Sequence, residues 1–542
     1  MWRKLLSVVV IAAALAACAD RQSPTEGNPK AFTSVNGAQD GLFTIVPSPR
    51  LTAEQERLLT VIRNRRSSGE VNLGLLTAAP AALLQVGRAV RFDVGPNVRF
   101  SATGNRSVLN PNGTLSWSGP TDVAFGSVQL VLTEKGVTGD LRVEGSLYRF
   151  EPIGGGLHAL TLVRDFPPEH PPSSPAGSLS PSEEPPPGGS GSPASAAPFE
   201  GPTSTMSGAL TKLDVLVVYT ASAANASGDI AALIQLAIDE TNTSYSNSGI
   251  TIEARDAFSA QVDYDESNRT YAQHVAALQS PSDGIMDNVH SLRSQYKADV
   301  VVLLVNDTDF CGLASVVNAS VSTAFAAVFY DCATGNYSFG HEIGHLQGAR
   351  HDRFVDSNNS PYAYGHGYVD PVNYNWRTIM AYDSSCVIHA GHHCARVQYW
   401  SNPNVTYPPT GQAMGTTTYE HDARVLEERK LTVANFVSYL GVSWTGPSTV
   451  GHNDYCPWTA TITNGTEPYS YNWYATWQTS STGFFFTSGQ GTPNATSWGY
   501  YYGSYPNPTQ ITVQLYGSDA VGENYSLPQR TVNLYNYSFG CY

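Results

Sequence analysis

Residues Phe339–Asp352 read FGHEIGHLQGARHD, and the spacing of the histidines in this stretch decides how the rest of the chain is read. His341 and His345 are four apart, so a helix carries both imidazoles on one face, one turn apart, where they reach a single ion at about 2.0–2.1 Å. Glu342 projects beside them. A carboxylate so placed takes a proton from metal-activated water and passes it to a leaving group. Gly348 falls three residues past His345, where a glycine ends a helix in a left-handed turn without steric cost. That turn brings round His351 as a third nitrogen ligand. Three protein ligands leave one zinc position open for water, which is the arrangement of a catalytic rather than a structural site. Histidines that merely pack or cap would not explain this spacing together with the glutamate and the glycine.

The extended pattern H-E-x-x-H-x-x-G-x-x-H is far more restrictive than H-E-x-x-H alone, and it is the metzincin signature when a methionine turn follows. Residues 378–382, TIMAY, supply Met380 for that turn and Tyr382 two positions on. Over residues 210–440 the chain therefore resembles the metzincin zinc metalloproteases. Asp352, directly after the third histidine, resembles the aspartate that braces the fold beneath the site in the adamalysin (reprolysin) branch. Tyr382 resembles the tyrosine that stabilises the oxyanion in the astacin and serralysin branches. The stretches YAYGHGYVD (362–370), WRTIMAY (376–382) and YWSNP (399–403) are similar to bacterial peptidyl-Asp metalloendopeptidases, a secreted family that cuts before acidic residues. The resemblance implies a zinc endopeptidase acting on protein or peptide substrates. It also implies a substrate lying antiparallel to an upper edge strand just before the zinc helix, expected here in STAFAAVFYD (322–331). An acidic side chain after the cut calls for a cation, for which Arg377 and Arg396 stand near Met380 in sequence. His366 matches no ligand position and is expected to brace a loop.

Around this centre, 542 residues imply several domains. The start, MWRKLLSVVVIAAALAAC, has a basic opening, an apolar stretch and small residues before Cys18, the features of a secretory signal over residues 1–18. Leu15–Cys18 resembles a lipoprotein box, which implies lipidation of Cys18 and a membrane attachment through that lipid alone; ordinary cleavage nearby is the alternative. Residues 19–48 are read as a tether. Residues 49–166, opening with an amphipathic helix and continuing in short alternating runs, are read as a β-rich, propeptide-like domain. Residues 167–209, dense in Pro, Ser and Gly, are read as an exposed, cuttable linker. The catalytic domain spans 210–441. It opens with the apolar run KLDVLVVYT, a helix with Ile230, Leu233, Ile234, Ala237, Ile238 and Tyr245 on one face, a second helix near 283–298, and the strand ADVVVLLV. A helix from about 421 to 440 closes it. The last segment, 442–542, rich in Tyr, Trp, Thr and Asn, is read as an Ig/PKD-like β-sandwich that binds glycan or protein. The fold class expected is multidomain: an α/β metzincin catalytic domain, a twisted mixed sheet plus helices, between an N-terminal β-rich propeptide domain and a C-terminal β-sandwich.

Net charge is −15 with only 30 Lys and Arg, which argues against nucleic acid as a partner. Beyond Cys18 the six cysteines group by position into Cys311/Cys332, Cys386/Cys394 and Cys456/Cys541, the pairing expected of an exported chain. A second metal site at Cys386, Cys394 and the histidines between them is the competing reading. No cysteine lies between Cys18 and Cys311, so a thiol cannot block the zinc in a latent form. If the chain is made latent, an acidic or histidine side chain, or plain steric cover, must serve instead. The cluster NDTD (306–309) is compatible with calcium and with ordinary turns. The rival functions are a metzincin of broad specificity and a surface-anchored binding protein with secondary or lost proteolysis.

Overall fold

The computed structural model describes residues 40–143, 145–170, 210–437, 441–463, 468–475, 482–501, 508–519, 524–527, 529–538 and 540–542. Cys18, the signal, and residues 171–209 of the expected linker lie outside them. So do Leu440 and the end of the expected closing helix.

In the catalytic region the apolar run of Thr211–Tyr219 becomes a strand covered on both faces. Leu213, Val215 and Val217 point into one core, and Leu216 and Val218 into another. Val300–Val305 alternates in the same way, with Val300, Val302 and Leu304 on the first side and Val301, Leu303 and Val305 on the second. Period-two alternation inside an unbroken apolar run is what a strand buried on both faces requires. The sheet runs in the order Ile252–Gln261, Thr211–Tyr219, Val300–Val305, Phe325–Phe329 and Gly312–Ala314. The first four strands are parallel and the last is antiparallel.

Two expectations are corrected here, and one strand is added. The strand Ile252–Gln261 went unread because it is an edge, half exposed and polar at alternate positions, so it lacks the apolar run of its neighbours. The second helix is shorter than 283–298, spanning Asn288–Tyr296, and it follows another, Tyr271–Gln279, capped by Thr270. The upper edge strand is Gly312–Ala314. Phe325–Phe329, within the stretch expected at the edge, is an interior strand paired on both sides.

The long helix Ile230–Asn247 lays Leu233, Ile234, Ala237, Ile238 and Tyr245 on the catalytic core, as its spacing predicts. Its outer face is also covered, since Ala232 and Leu236 pack on Val131 of the N-terminal domain. That domain is an eight-stranded antiparallel sheet running from Phe43–Ile45 at one edge to Arg106–Leu109 at the other, with a hairpin, Ala89–Gly95 and Val98–Thr103, beside it. Thr52 and Gln55 form a capping box that starts the helix Ala53–Asn64, which buries Leu58, Leu59 and Ile62. Two boundaries move. Phe43–Ile45 pairs with Ser68–Leu76, so the ordered domain begins before residue 49. Pro167, Glu169 and His170 are buried and do not open an exposed linker.

The closing helix is shorter than expected, Asp422–Val433, and buries Val425 and Val433. Beyond it, two antiparallel-rich sheets share one aromatic core that includes Trp458, Trp473, Phe484 and Val513. All three cysteine pairs are disulfides, Cys311–Cys332, Cys386–Cys394 and Cys456–Cys541. The bond between Cys386 and Cys394 removes the second metal site as a reading. Among the described residues, no helix is long and apolar enough to cross a membrane.

Candidate active site

The motif occupies the helix Ser338–Gln347, every residue of which is buried. Two glycines let this helix approach its surroundings. A Cβ on Gly344 would stand 2.5 Å from the ring of Trp400 and 3.1 Å from the sulfur of Met380, so the methionine turn and Trp400 pack directly against the backbone there. Trp400 is held by a hydrogen bond from its indole nitrogen to Ser244 (2.8 Å) and by stacking on Tyr245. Gly348 ends the helix at φ +112°, a conformation that favours glycine, and His351 comes round as expected.

His341 Nδ1 donates to the carbonyl of Ile379 (2.9 Å) and His345 Nδ1 to that of Ala349 (2.9 Å). Each bond fixes the proton on Nδ1 and turns a bare Nε2 inward. The Nε2 atoms of His341 and His345 lie 3.3 and 2.9 Å from Nε2 of His351. Nitrogens bound tetrahedrally at about 2.0–2.1 Å from one ion stand about 3.3 Å apart, so this donor set fits zinc. Burial and the neighbouring histidines push the pKa of all three well below the usual value, which keeps them neutral and able to ligate.

Glu342 is fully buried, and burial raises its pKa despite the opposing influence of His170. One of its oxygens, Oε2, has no hydrogen-bond partner among the described residues. Gly312 of the edge strand makes room for it, since a Cβ there would lie 2.5 Å from Glu342 Oε1. The ring of Tyr382 is 4.4 Å from that of His351, and its buried hydroxyl also has no hydrogen-bond partner among the described residues. Asp352 accepts from the backbone N–H of Tyr382 (2.8 Å) and of Phe354 (3.2 Å), tying the third-histidine loop to the methionine turn. His366 Nδ1 donates to the carbonyl of His351 (2.8 Å) and stands outside the cluster.

The two arginines separate. Arg377 donates to the carbonyl of Ala381 (2.6 Å) and braces the methionine turn. Arg396 lies at the site: its Nη1 pairs with Glu169 (2.6 Å) and donates to the carbonyl of Asn336 (2.8 Å). Its Nη2 is 3.2 Å from His341 Nδ1, a nitrogen already committed as a donor to Ile379, so that approach is packing rather than a hydrogen bond. Cys386–Cys394 closes the loop just before Arg396.

Sequence reading missed Glu169, His170, Gly312 and Trp400. His170 is buried, with Nε2 2.9 Å from Glu342 Oε1, and the four histidines 170, 341, 345 and 351 offer ligand atoms all within 4.8 Å of one another. Its place in a proline-rich run hid it. The group Asp307–Asp309 shows turn bonding, with Asp307 also against His274 (3.1 Å), and His274 is buried among aromatic rings.

Set in a mixed α/β sheet beneath an edge strand, this centre is that of a zinc metallopeptidase. The model of metallo-peptidase family M12 (Reprolysin_5) matches residues 209–401. A peptidyl-Asp metalloendopeptidase of Stenotrophomonas maltophilia (strain R551-3) is 38% identical over 415 residues, covering 70% of this chain and 92% of the relative. One from Xanthomonas campestris pv. campestris is 40% identical over 326 residues, covering 60% and 72%. One from Pseudomonas fragi is 47% identical over 135 residues, covering 24% and 79%. The chain belongs to the peptidyl-Asp metalloendopeptidase family and is a zinc metalloendopeptidase. A solved chain described as "Structure of a chaperone-substrate complex" overlaps 18% of this chain, and 91% of its own length, at 14% identity with a TM-score of 0.16, and contributes nothing to the assignment.

Proposed function

We propose that this is an exported endopeptidase that cuts peptide bonds on the amino side of acidic residues. His341, His345 and His351 hold the zinc, which when bound polarises a peptide carbonyl and makes a water more acidic. Glu342 accepts the proton of the attacking water and delivers it to the amine of the product. Tyr382, whose ring stands against His351 and whose buried hydroxyl has no hydrogen-bond partner among the described residues, donates to the carbonyl oxygen as negative charge gathers there. The edge strand Gly312–Ala314 aligns the substrate main chain. Arg396 receives the acidic side chain.

The observation that carries the acidic preference is the buried pair between Arg396 and a carboxylate beside the histidine cluster. Export is supported by the signal-like start and by three disulfides, which persist in oxidising compartments. On this reading residues 40–166 are a propeptide domain and 442–542 an accessory β-sandwich. Tyr455, Phe485, Trp498 and Tyr500 form a partly exposed row of rings on that sandwich, with Trp498 5.2 Å from Phe485 and 5.1 Å from Tyr500, which suits a glycan or protein partner.

Wild type and Glu342→Ala, each expressed from residue 19, test the reading by zinc content and by mass spectrometry of a diverse peptide mixture after linker cleavage and removal of the N-terminal domain. One zinc in both, with cuts before Asp and Glu in wild type alone, is the expected result. Cuts clustered elsewhere would remove the acidic preference, and comparable cutting by the variant would remove the role of Glu342.

A further inference from the structure

We propose that Glu169 and His170 form a built-in pseudo-substrate: His170 supplies a fourth nitrogen to the zinc and Glu169 fills the acid pocket at Arg396, keeping the uncut chain latent. This rests on the zinc-ligand and acid-pocket readings above, and it assigns a task to a segment that composition alone would leave in a linker.

Both side chains and the main chain of the segment meet the site. The His170 ring lies 5.1, 5.1 and 4.8 Å from those of His341, His345 and His351, and its ligand atom falls in the same 4.8 Å group. A fourth imidazole takes the position that water needs, which turns an open catalytic site into a closed one. His170 also stands against Glu342, 2.9 Å away, so the same side chain occupies the proton acceptor. Its Nδ1 is buried without a hydrogen-bond partner among the described residues.

Glu169 is equally committed. Its Oε1 accepts from Arg396 Nη1 (2.6 Å) and Asn336 Nδ2 (2.8 Å), and its Oε2 from the Ser338 hydroxyl (3.3 Å). A buried carboxylate with a cation and two further donors is a built recognition site for an acidic side chain. The main chain follows. Cys311 N–H donates to the carbonyl of Pro168 (2.8 Å) and Gly312 N–H to that of Glu169 (3.0 Å), so the segment lies along the edge strand where a substrate is expected. Residue numbers rise together on the two sides, so the segment runs with the strand, opposite to the antiparallel direction expected of a substrate.

The N-terminal domain, which carries the segment, is docked on the catalytic region by buried ion pairs. Arg65 and Arg149 both reach Asp331 (3.1 and 2.6 Å), and Arg149 also donates to the carbonyl of Thr334 (2.8 Å). A cut between residues 171 and 209 would therefore leave His170 on a fragment still docked by these contacts. Release requires the domain to dissociate or be degraded.

The test uses the uncut chain from residue 19. X-ray absorption at the zinc edge is expected to count four imidazoles in wild type, and three imidazoles with one oxygen in His170→Ala. Three imidazoles in the uncut wild type overturn the proposal, with no variant needed. For the acid pocket, Glu169→Gln is expected to surrender zinc to a chelator at least tenfold faster than wild type, and an unchanged rate overturns that half. The readings fail separately. A fully processed enzyme that cuts nothing, with four imidazoles in the uncut chain, sinks the peptidase reading and keeps the plug. A processed enzyme that cuts before Asp, with three imidazoles in the uncut chain, does the reverse.

Discussion

Replacing Arg396 by methionine in the processed enzyme keeps much of the side chain's volume and removes the charge. Arg396 is only 6% exposed and meets a carboxylate at 2.6 Å, so the relevant magnitude is that of a desolvated pair. Removing one partner from such a pair costs about 2–5 kcal/mol, whereas exposed pairs contribute about 0–1 kcal/mol. The buried figure corresponds to roughly 30- to 5000-fold in kcat/KM. Because Arg396 also packs on His341 and bonds Asn336, its loss will slow all substrates to some degree. The diagnostic quantity is therefore a ratio: kcat/KM for a fluorogenic peptide with Asp after the cut, over that for the same peptide with Asn. The ratio is expected to fall by about 100-fold or more in Arg396→Met, with partial recovery in Arg396→Lys, which keeps the charge and loses the planar fork. Arg377→Met, which frees the Ala381 carbonyl, is expected to lower thermal stability and leave the ratio alone. A ratio changed less than about fivefold in Arg396→Met, the size of an exposed pair, would refute the assignment.

Three further outcomes follow from the packing. Gly344→Ala drives a methyl to 2.5 Å from the Trp400 ring, and such overpacking costs about 1–3 kcal/mol, so calorimetry should show a melting point lowered by several degrees; an unchanged value would mean that Trp400 moves freely. Gly312→Ala places its methyl 2.5 Å from Glu342 Oε1 on a strand that needs no glycine conformation there, so kcat should drop at least tenfold with little change in melting, and full activity would contradict the close fit. Burial raises the Asp256 carboxyl to about 6, with the Ser259 hydroxyl partly offsetting it. The folded pKa lies above the unfolded value of about 3.9, so the folded chain binds the extra proton and stability falls as pH rises from about 4 to 6. Asp256→Asn should flatten that part of the pH–stability curve, and identical curves for the two proteins would show that Asp256 does not titrate there.

The sequence by itself determined the motif helix, the turn at Gly348 and the inward pair His341 and His345, because helical periodicity and a glycine cap act over a few residues. It also located the interior strands Thr211–Tyr219 and Val300–Val305, whose unbroken apolar runs only a doubly covered strand accommodates. The cysteine grouping matched the disulfides because each pair closes within one structural region. Tertiary structure alone decided which strand is the edge. Gly312–Ala314 is three residues long, too short to carry a periodic signal, and Phe325–Phe329 is interior because strands lie on both of its sides. It alone separated Arg396 from Arg377, which are both near Met380 in sequence and whose neighbouring strands pair with each other. And it brought Glu169 and His170 to a helix 170 residues downstream, where no local pattern reaches. Proline-rich composition describes how a segment behaves when nothing covers it, and here Pro167, Glu169 and His170 are covered at the catalytic site.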